Sequence, residues 1–243
     1  MRIHGTITAN MNPLEAFTYL FRERLPLVLS FPLEEDRGHI VTGKGICYVQ
    51  GIEGERVRIG GFSPLGVVRA AASQTVLHVS YEVEGETHGC ALREIVFEGG
   101  TLTAEIPAES HRTLRKFVRV EPSAAAPVML YLYSDAGGTR MYPVRDISEH
   151  GLGLVIADDL DIEKNLLCGV GLPFDGGTFI LMRATVVYKM EVGKAPRPSV
   201  RPSSATGFAF GLEIAPHPED LKKIRLYVMQ RELEISSKIQ TGI

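Results

Sequence analysis

The chain has no tryptophan, only three cysteines and no surplus of positive charge. Each shortage closes off a class of function. With 26 Lys and Arg against 29 Asp and Glu, the formal net charge is −3. A protein that follows a polynucleotide backbone ordinarily carries a basic excess to displace counterions, so polymeric nucleic acid is set aside as a partner. A small anionic ligand stays open, because a few clustered arginines fit within a mildly acidic chain. Cys47, Cys90 and Cys168 are far apart and form no CxxC, and the only close Cys/His pair is His88 with Cys90. A structural zinc needs about four ligands at defined spacings, so no metal is expected. The cysteines read as buried thiols of a reducing compartment. No apolar run approaches the ~18 residues of a membrane span. Arg2 and His4 are followed by Thr6, Thr8, Asn10 and Asn12 instead of an apolar signal core. The expected location is the cytoplasm, with no integral membrane segment.

Catalytic signatures are missing too. GxSxG and HExxH do not occur, and the seven histidines are scattered. Residues 38–44 fit GxxxxGK, but Gly45 stands where a Mg²⁺-binding Ser or Thr is required, and the continuation through Ile46 and Val49 is strand-like. That stretch reads as a strand-linking turn. The carboxylate runs Glu34–Asp36 and Asp158–Asp161 read as solvated turns. The chain is therefore expected not to be an enzyme.

What is present is β-structure. The 243 residues suffice for one large core or two smaller ones. Alternating, β-rich segments bounded by Gly or Pro occupy 25–31, 45–50, 56–59, 75–83 and 91–97, with a hairpin turn at 51–54 and a further strand at 101–106. A short helix follows Asn12, with Pro13 at its first position, Glu15 completing a capping box, and Leu14, Phe17 and Phe21 on one face. Residues 107–111 break the pattern. A second β set follows at 118–120, 128–132, 153–156, 167–172, 179–188 and 208–214, with a Pro/Arg-rich loop at 193–207. Residues 218–235 place Leu221, Ile224, Tyr227, Val228 and Leu233 at helical spacing, as a helix covering an open barrel end. The expectation is mainly β: a domain over 1–109, a linker at 107–114, and a second domain over 110–243.

The linker carries the exceptional feature. Arg112, Arg115, Lys116 and Arg119 fall within nine residues, and Arg115 with Arg119 forms RxxxR. Downstream, Asp146, Ser148 and Gly151 form DxSxxG, followed by Gly153. The guanidinium groups can meet guanine O6 and N7 bidentately, stack on a purine, or pair with phosphate. A carboxylate at Asp146 can accept from guanine N1–H and N2–H₂, which adenine lacks. Ser148 can bond to ligand or brace its loop, and Gly151 permits a backbone geometry or a close approach that a Cβ would block.

In this order and spacing the two patterns resemble the signature of PilZ domains. The stretch 207–214 (GFAFGLEI) and the 218–235 helix are similar to the closing strand and terminal helix of that family. The first half resembles, in layout and in the linker Ile106-Pro107-Ala108-Glu109, the N-terminal domain of YcgR-like flagellar brake proteins. The resemblance implies two β-barrel domains in tandem, the second a six-stranded barrel with a terminal helix. It implies cyclic di-GMP as ligand, clamped by Arg115 and Arg119 against a barrel-surface loop of Asp146, Ser148 and Gly151, with Leu114, Lys116 and Gly153 in secondary places. Many members of the family have Arg before RxxxR where this chain has Leu114, so one cyclic di-GMP per chain is expected instead of a stacked pair. Ligand binding would reorient the N-terminal domain and engage a protein partner such as the flagellar motor; a homodimer is left open. The rival reading is a PilZ-like interaction module that binds no nucleotide, in which Arg119 simply pairs with Asp146.

Overall fold

The computed structural model describes residues 12–35, 38–113, 117–133, 137–156, 165–174, 177–192 and 207–241. The chain divides into two compact units: residues 1–33, 42–115 and 235–243 in the first, 34–41 and 116–234 in the second.

In the first unit, helix α1 (Pro13–Glu23) starts as its sequence dictates. The Asn12 side chain accepts from the Glu15 N–H at 2.9 Å, and Glu15 reaches back to the Asn12 N–H. Its buried face is Pro13, Ala16, Phe17 and Leu20; Leu14 and Phe21, expected to share the face of Phe17, are exposed. The i, i+3, i+4, i+7 stripe beginning at Pro13 is the one that packs.

The strands of this unit are β1 (Pro26–Glu34), β2 (Ile40–Glu53), β3 (Arg56–Ser63), then helix α2 (Val67–Ala72), β4 (Leu77–Val83), β5 (Glu86–Glu98), β6 (Thr101–Glu105) and β7 (His111–Thr113). They form a sheet ordered β4-β1-β2-β3-β6-β5-β7, and the further β4–β5 pairing returns the sheet on itself. Period-2 burial along β1 and β4 puts Leu27, Leu29, Phe31, Leu77, Val79 and Tyr81 inside. Gly43 and Lys44 lie in the middle of β2, with Gly43 against the Phe31 ring, so the GxxxxGK match is part of a strand. The hairpin between β2 and β3 turns at Gly54 and Glu55, later than the expected 51–54, because Gly51 and Ile52 remain paired with Arg58 and Val57. Residues 111–113, expected as linker, are strand: β7 pairs with β5 through Thr87, His88 and Gly89.

The second unit is a closed antiparallel barrel. Its strands are β8 (Met129–Tyr133), β9 (Thr139–Ser148), β10 (Gly151–Ile156), β11 (Asn165–Leu172), β12 (Thr178–Val192) and β13 (Gly207–Ala215), ordered β10-β13-β12-β11-β8-β9. The expected strand at 118–120 is reduced to a single bridge from Val120 to Ile147, whereas β9 is a full strand that alternation alone did not reveal. Helix α3 (Pro218–Thr241) follows, and its Ile224, Tyr227 and Val228 join the barrel core with Leu130, Ile147, Leu152, Val170 and Phe210. Leu233, expected on the apolar face, is exposed, while Arg231 is buried.

No helix among the described residues is long and apolar enough to cross a membrane, and no cluster of His, Cys, Asp and Glu among them is arranged to hold a metal. All three thiols are free and buried. Burial pushes Cys47 and Cys90 up to about 12 and Cys168 to about 11, so each stays protonated and unreactive at neutral pH.

Candidate ligand site on the β9–β10 hairpin

The DxSxxG stretch is a hairpin. Asp146 and Ser148 lie on β9, expected to be a loop, Glu149 and His150 make the turn, and Gly151 opens β10. The Ser148 hydroxyl donates to the Gly151 carbonyl at 3.3 Å and so braces the turn. The turn is also held from outside. Ile214 N–H donates to the His150 carbonyl at 3.0 Å, and Arg225 of α3 pairs with Glu149 at 2.7 Å. The Arg225 guanidinium, through that hydrogen bond, holds the Glu149 carboxyl below its ordinary value.

A break in register next to the turn decides which side chains meet. Gly153 pairs with Asp146, but Leu154 pairs with Val144, leaving Arg145 as the extra residue of a β-bulge. Val144 and Ile147 both point into the core. Between them Arg145 and Asp146 both end up on the outer face, although adjacent strand residues would ordinarily face opposite sides. The Arg145 Nε donates to Asp146 Oδ2 at 2.8 Å, and its Nη2 forms an ion pair with the same oxygen at 2.6 Å. Arg119 donates through Nη1 to Asp146 Oδ1 at 2.9 Å. Beneath the carboxylate lies Gly153, where an added Cβ would stand 2.3 Å from Oδ2 and 2.7 Å from Oδ1.

The backbone carrying Arg119 is anchored one to three residues further on. Val120 exchanges backbone hydrogen bonds with Ile147 at 3.0 and 2.9 Å. The Arg231 Nε donates to the Glu121 carbonyl at 2.8 Å, and His39 Nε2 lies 3.1 Å from the Pro122 carbonyl. Arg231 is itself held by Glu35 at 2.6 Å, with both side chains almost fully buried. On the other side of Arg119, the Phe117 ring packs on His150 of the turn, with centroids 4.6 Å apart. These contacts bring the end of RxxxR to the hairpin.

Of the residues singled out by sequence, the structure gathers Arg119, Asp146, Ser148, Gly151 and Gly153 into one cluster. Arg115, Leu114 and Lys116 lie outside the described residues. Arg112 is drawn to the first unit, paired with Glu86 of β5 at 3.0 Å. Gly151 has no left-handed backbone; an added Cβ there would meet Ser148 Oγ at 3.2 Å and the Leu212 carbonyl at 3.4 Å. Its glycine is thus a matter of close approach, not of backbone conformation. Arg145, Phe117 and His150 escaped the sequence reading. Arg145 had only its adjacency to Asp146 as a signal, and a bulge is invisible to alternation.

Chemically, the cluster offers a carboxylate whose two oxygens are each capped by a guanidinium on an exposed barrel surface. Asp146 is buried by its own arginines, whose side chains remain 35% and 44% exposed. Both cations can therefore be offered to an anion approaching from solvent.

Residues 113–230 match the model of the PilZ domain. No curated protein matches the chain. Among solved structures, the chain is similar to YcgR of Escherichia coli in complex with c-di-GMP, at 14% identity and a TM-score of 0.44, covering 95% of this chain and 93% of that one. It is similar to the Bacillus subtilis inhibitor of motility MotI/DgrA, at 17% identity and a TM-score of 0.42, covering 86% and 97%. The K. pneumonia MrkH–c-di-GMP complex gives 12% identity and a TM-score of 0.46, covering 92% and 94%. The stretch that the family model matches contains the closed barrel, the hairpin and Arg119, and residues 113–230 of the chain are a PilZ domain.

Proposed function

We propose that the chain is a cyclic di-GMP receptor that binds the dinucleotide at the β9–β10 hairpin and is not an enzyme. The observation that carries this reading is the Arg119–Asp146–Arg145 cluster, which lies on the barrel surface within the stretch that the PilZ family model matches. Arg119 and Arg115 supply guanidinium groups to the phosphates and the base edge, and Asp146 accepts from guanine N1–H and N2–H₂. Ser148 holds the turn, and Gly151 and Gly153 leave room for ligand and carboxylate. One dinucleotide binds per chain, since Leu114 supplies no guanidinium to a second.

The ion pair between Arg119 and Asp146 is the one specific observation that favours the rival, non-binding module. It does not compete strongly with a ligand. Arg119 makes a single hydrogen bond and is more than a third exposed, and pairs of that kind contribute about 0–1 kcal/mol. A dianionic ligand offering several charge-assisted hydrogen bonds outweighs it.

Binding then acts by population shift: a ligand that contacts the RxxxR segment and the hairpin together favours some arrangements of the two halves over others. The output we assign is control of motility through the flagellar motor, or a related surface-lifestyle process. Calorimetric titration with cyclic di-GMP tests the first step. Saturable binding at one ligand per chain, weakened but still measurable in Arg119→Ala and Asp146→Ala, is expected. Wild-type protein that takes up no ligand overturns the receptor reading, and two ligands per chain overturn the stoichiometry. Scattering profiles that are identical with and without saturating ligand overturn the rearrangement.

A further inference from the structure

We infer that Arg145 is a positioning residue for ligand recognition: it keeps the Asp146 carboxylate aimed at the guanine edge once Arg119 has left that carboxylate for the ligand. The inference rests on the cyclic di-GMP reading and deepens it.

The two arginines hold Asp146 unequally. Arg119 touches Asp146 through one donor, Nη1, on Oδ1. Arg145 touches it through two, Nε and Nη2, both on Oδ2. A guanidinium held by two donors in its fork gives up more on leaving than one held by a single donor. Arg145 also lies next to Asp146 in the chain, so keeping its contact orders few additional bonds, whereas Arg119 is joined to the hairpin only across space. When a phosphate or base competes, Arg119 is the cation that exchanges and Arg145 the one that stays.

The consequence is which oxygen becomes available. Departure of Arg119 uncovers both lone pairs of Oδ1, while Oδ2 remains engaged by the Nε and Nη2 of Arg145. Guanine N1–H and N2–H₂ are neighbouring donors, and a carboxylate receives both only if its plane is fixed. Gly153 closes the side beneath the carboxylate. Arg145 closes the flank. Without Arg145, the departure of Arg119 would leave Asp146 free to rotate about χ1 and χ2 at the moment it must accept from the base. The bulge at Arg145 is what makes this arrangement available, because it turns a residue that strand geometry would have aimed inward onto the outer face beside its neighbour.

A double-mutant cycle on the full chain tests it, with cyclic di-GMP binding measured by calorimetry on wild type, Arg145→Ala, Arg145→Lys, Asp146→Ala and the Arg145→Ala/Asp146→Ala pair. Melting temperatures serve as a folding control. If Arg145 acts through Asp146, Arg145→Ala weakens binding about tenfold, and the double variant binds no more weakly than Asp146→Ala alone. Arg145→Lys keeps the charge but not the fork, and is expected to resemble Arg145→Ala. Losses that multiply in the double variant would show that Arg145 works independently of Asp146 and overturn the inference. Full activity of Arg145→Lys would overturn it as well, since charge alone would then suffice. Wild-type affinity in Arg145→Ala overturns the inference and leaves the receptor reading intact. Failure of wild type to bind overturns the receptor reading, and this inference falls with it.

Discussion

Substituting Gly153 by alanine perturbs the candidate site through one methyl group. The backbone at Gly153 is not left-handed, so alanine carries no conformational penalty there, and the effect is steric. The new Cβ would lie 2.3 Å from Asp146 Oδ2, 2.6 Å from Cγ and 2.7 Å from Oδ1. Ordinary contact lies near ~3.5 Å, so the carboxylate must retreat by about 1 Å. Its contacts are 2.9 Å to Arg119 and 2.8 and 2.6 Å to Arg145. A displacement of that size takes them past hydrogen-bonding distance. Charge-assisted bonds contribute about 1.5–3 kcal/mol when desolvated, and less here because the arginines are partly exposed, so a stability loss of about 1–2 kcal/mol is expected. Ligand affinity should suffer more, since a misplaced Asp146 forfeits its bonds to guanine: about 1.5–3 kcal/mol, or a 10- to 150-fold rise in Kd. Calorimetry with cyclic di-GMP and a thermal melt measure the two effects. Gly151→Ala is the milder comparison, because its Cβ would meet Ser148 Oγ at 3.2 Å, the Leu212 carbonyl at 3.4 Å and Arg119 Nη2 at 3.6 Å, none of them as close as the carboxylate is to Gly153. Its fold should be nearly unaffected, so any loss of affinity there reports the approach of the ligand itself. A Gly153→Ala protein that binds within twofold of wild type would refute the reasoning.

Further expectations concern the scaffold. Arg231→Met removes the cation that pairs with buried Glu35 and the donor that reaches the Glu121 carbonyl, at a cost of about 3–5 kcal/mol in urea unfolding; Glu35→Leu/Arg231→Met should recover most of it, and a single variant of wild-type stability would contradict the assignment. The Arg225–Glu149 pair, whose carboxyl is held below its ordinary value of 4.5, stabilises the turn above that pH and ceases to do so as pH falls through the lowered value. The gap in melting temperature between wild type and Arg225→Ala should therefore be constant near neutrality and close in strong acid; a gap that persists there would argue against the pair. Cys47, Cys90 and Cys168, buried and pushed up to between about 11 and 12, should resist a disulfide thiol reagent in the native protein and react on unfolding, and rapid native labelling would show that the cores open easily.

Much of the fold was legible because its determinants are local. Asn12, Pro13 and Glu15 dictate the start of α1 whatever surrounds them, and the alternation in β1 and β4 names their buried residues directly. Where a prediction missed, a long-range contact was responsible. The face of α1 shifted by one residue because the sheet beneath it selects Ala16 and Leu20 over Leu14 and Phe21. The second strand of the site hairpin, β9, went unseen because Pro143 and the adjacent polar pair Arg145 and Asp146 interrupt its alternation. Residues 111–113 looked like linker because β7 gains its strand character only by pairing with β5.

The sequence by itself determined the class of the protein and named the residues of a candidate site. A mainly β chain, lacking metal-binding spacings and carrying RxxxR and DxSxxG in that order, pointed to the PilZ domain, which the match over residues 113–230 bears out. Only the tertiary structure decided how the site is assembled. It joined Val120 to Ile147 so that Arg119 reaches Asp146 across 27 residues of chain, and it set Gly153 beneath the carboxylate. It also placed one extra residue in β9, which turned Arg145 outward. The physical reason is that a motif specifies which side chains are available, whereas register, and a single break in it, specifies which of them face the same way.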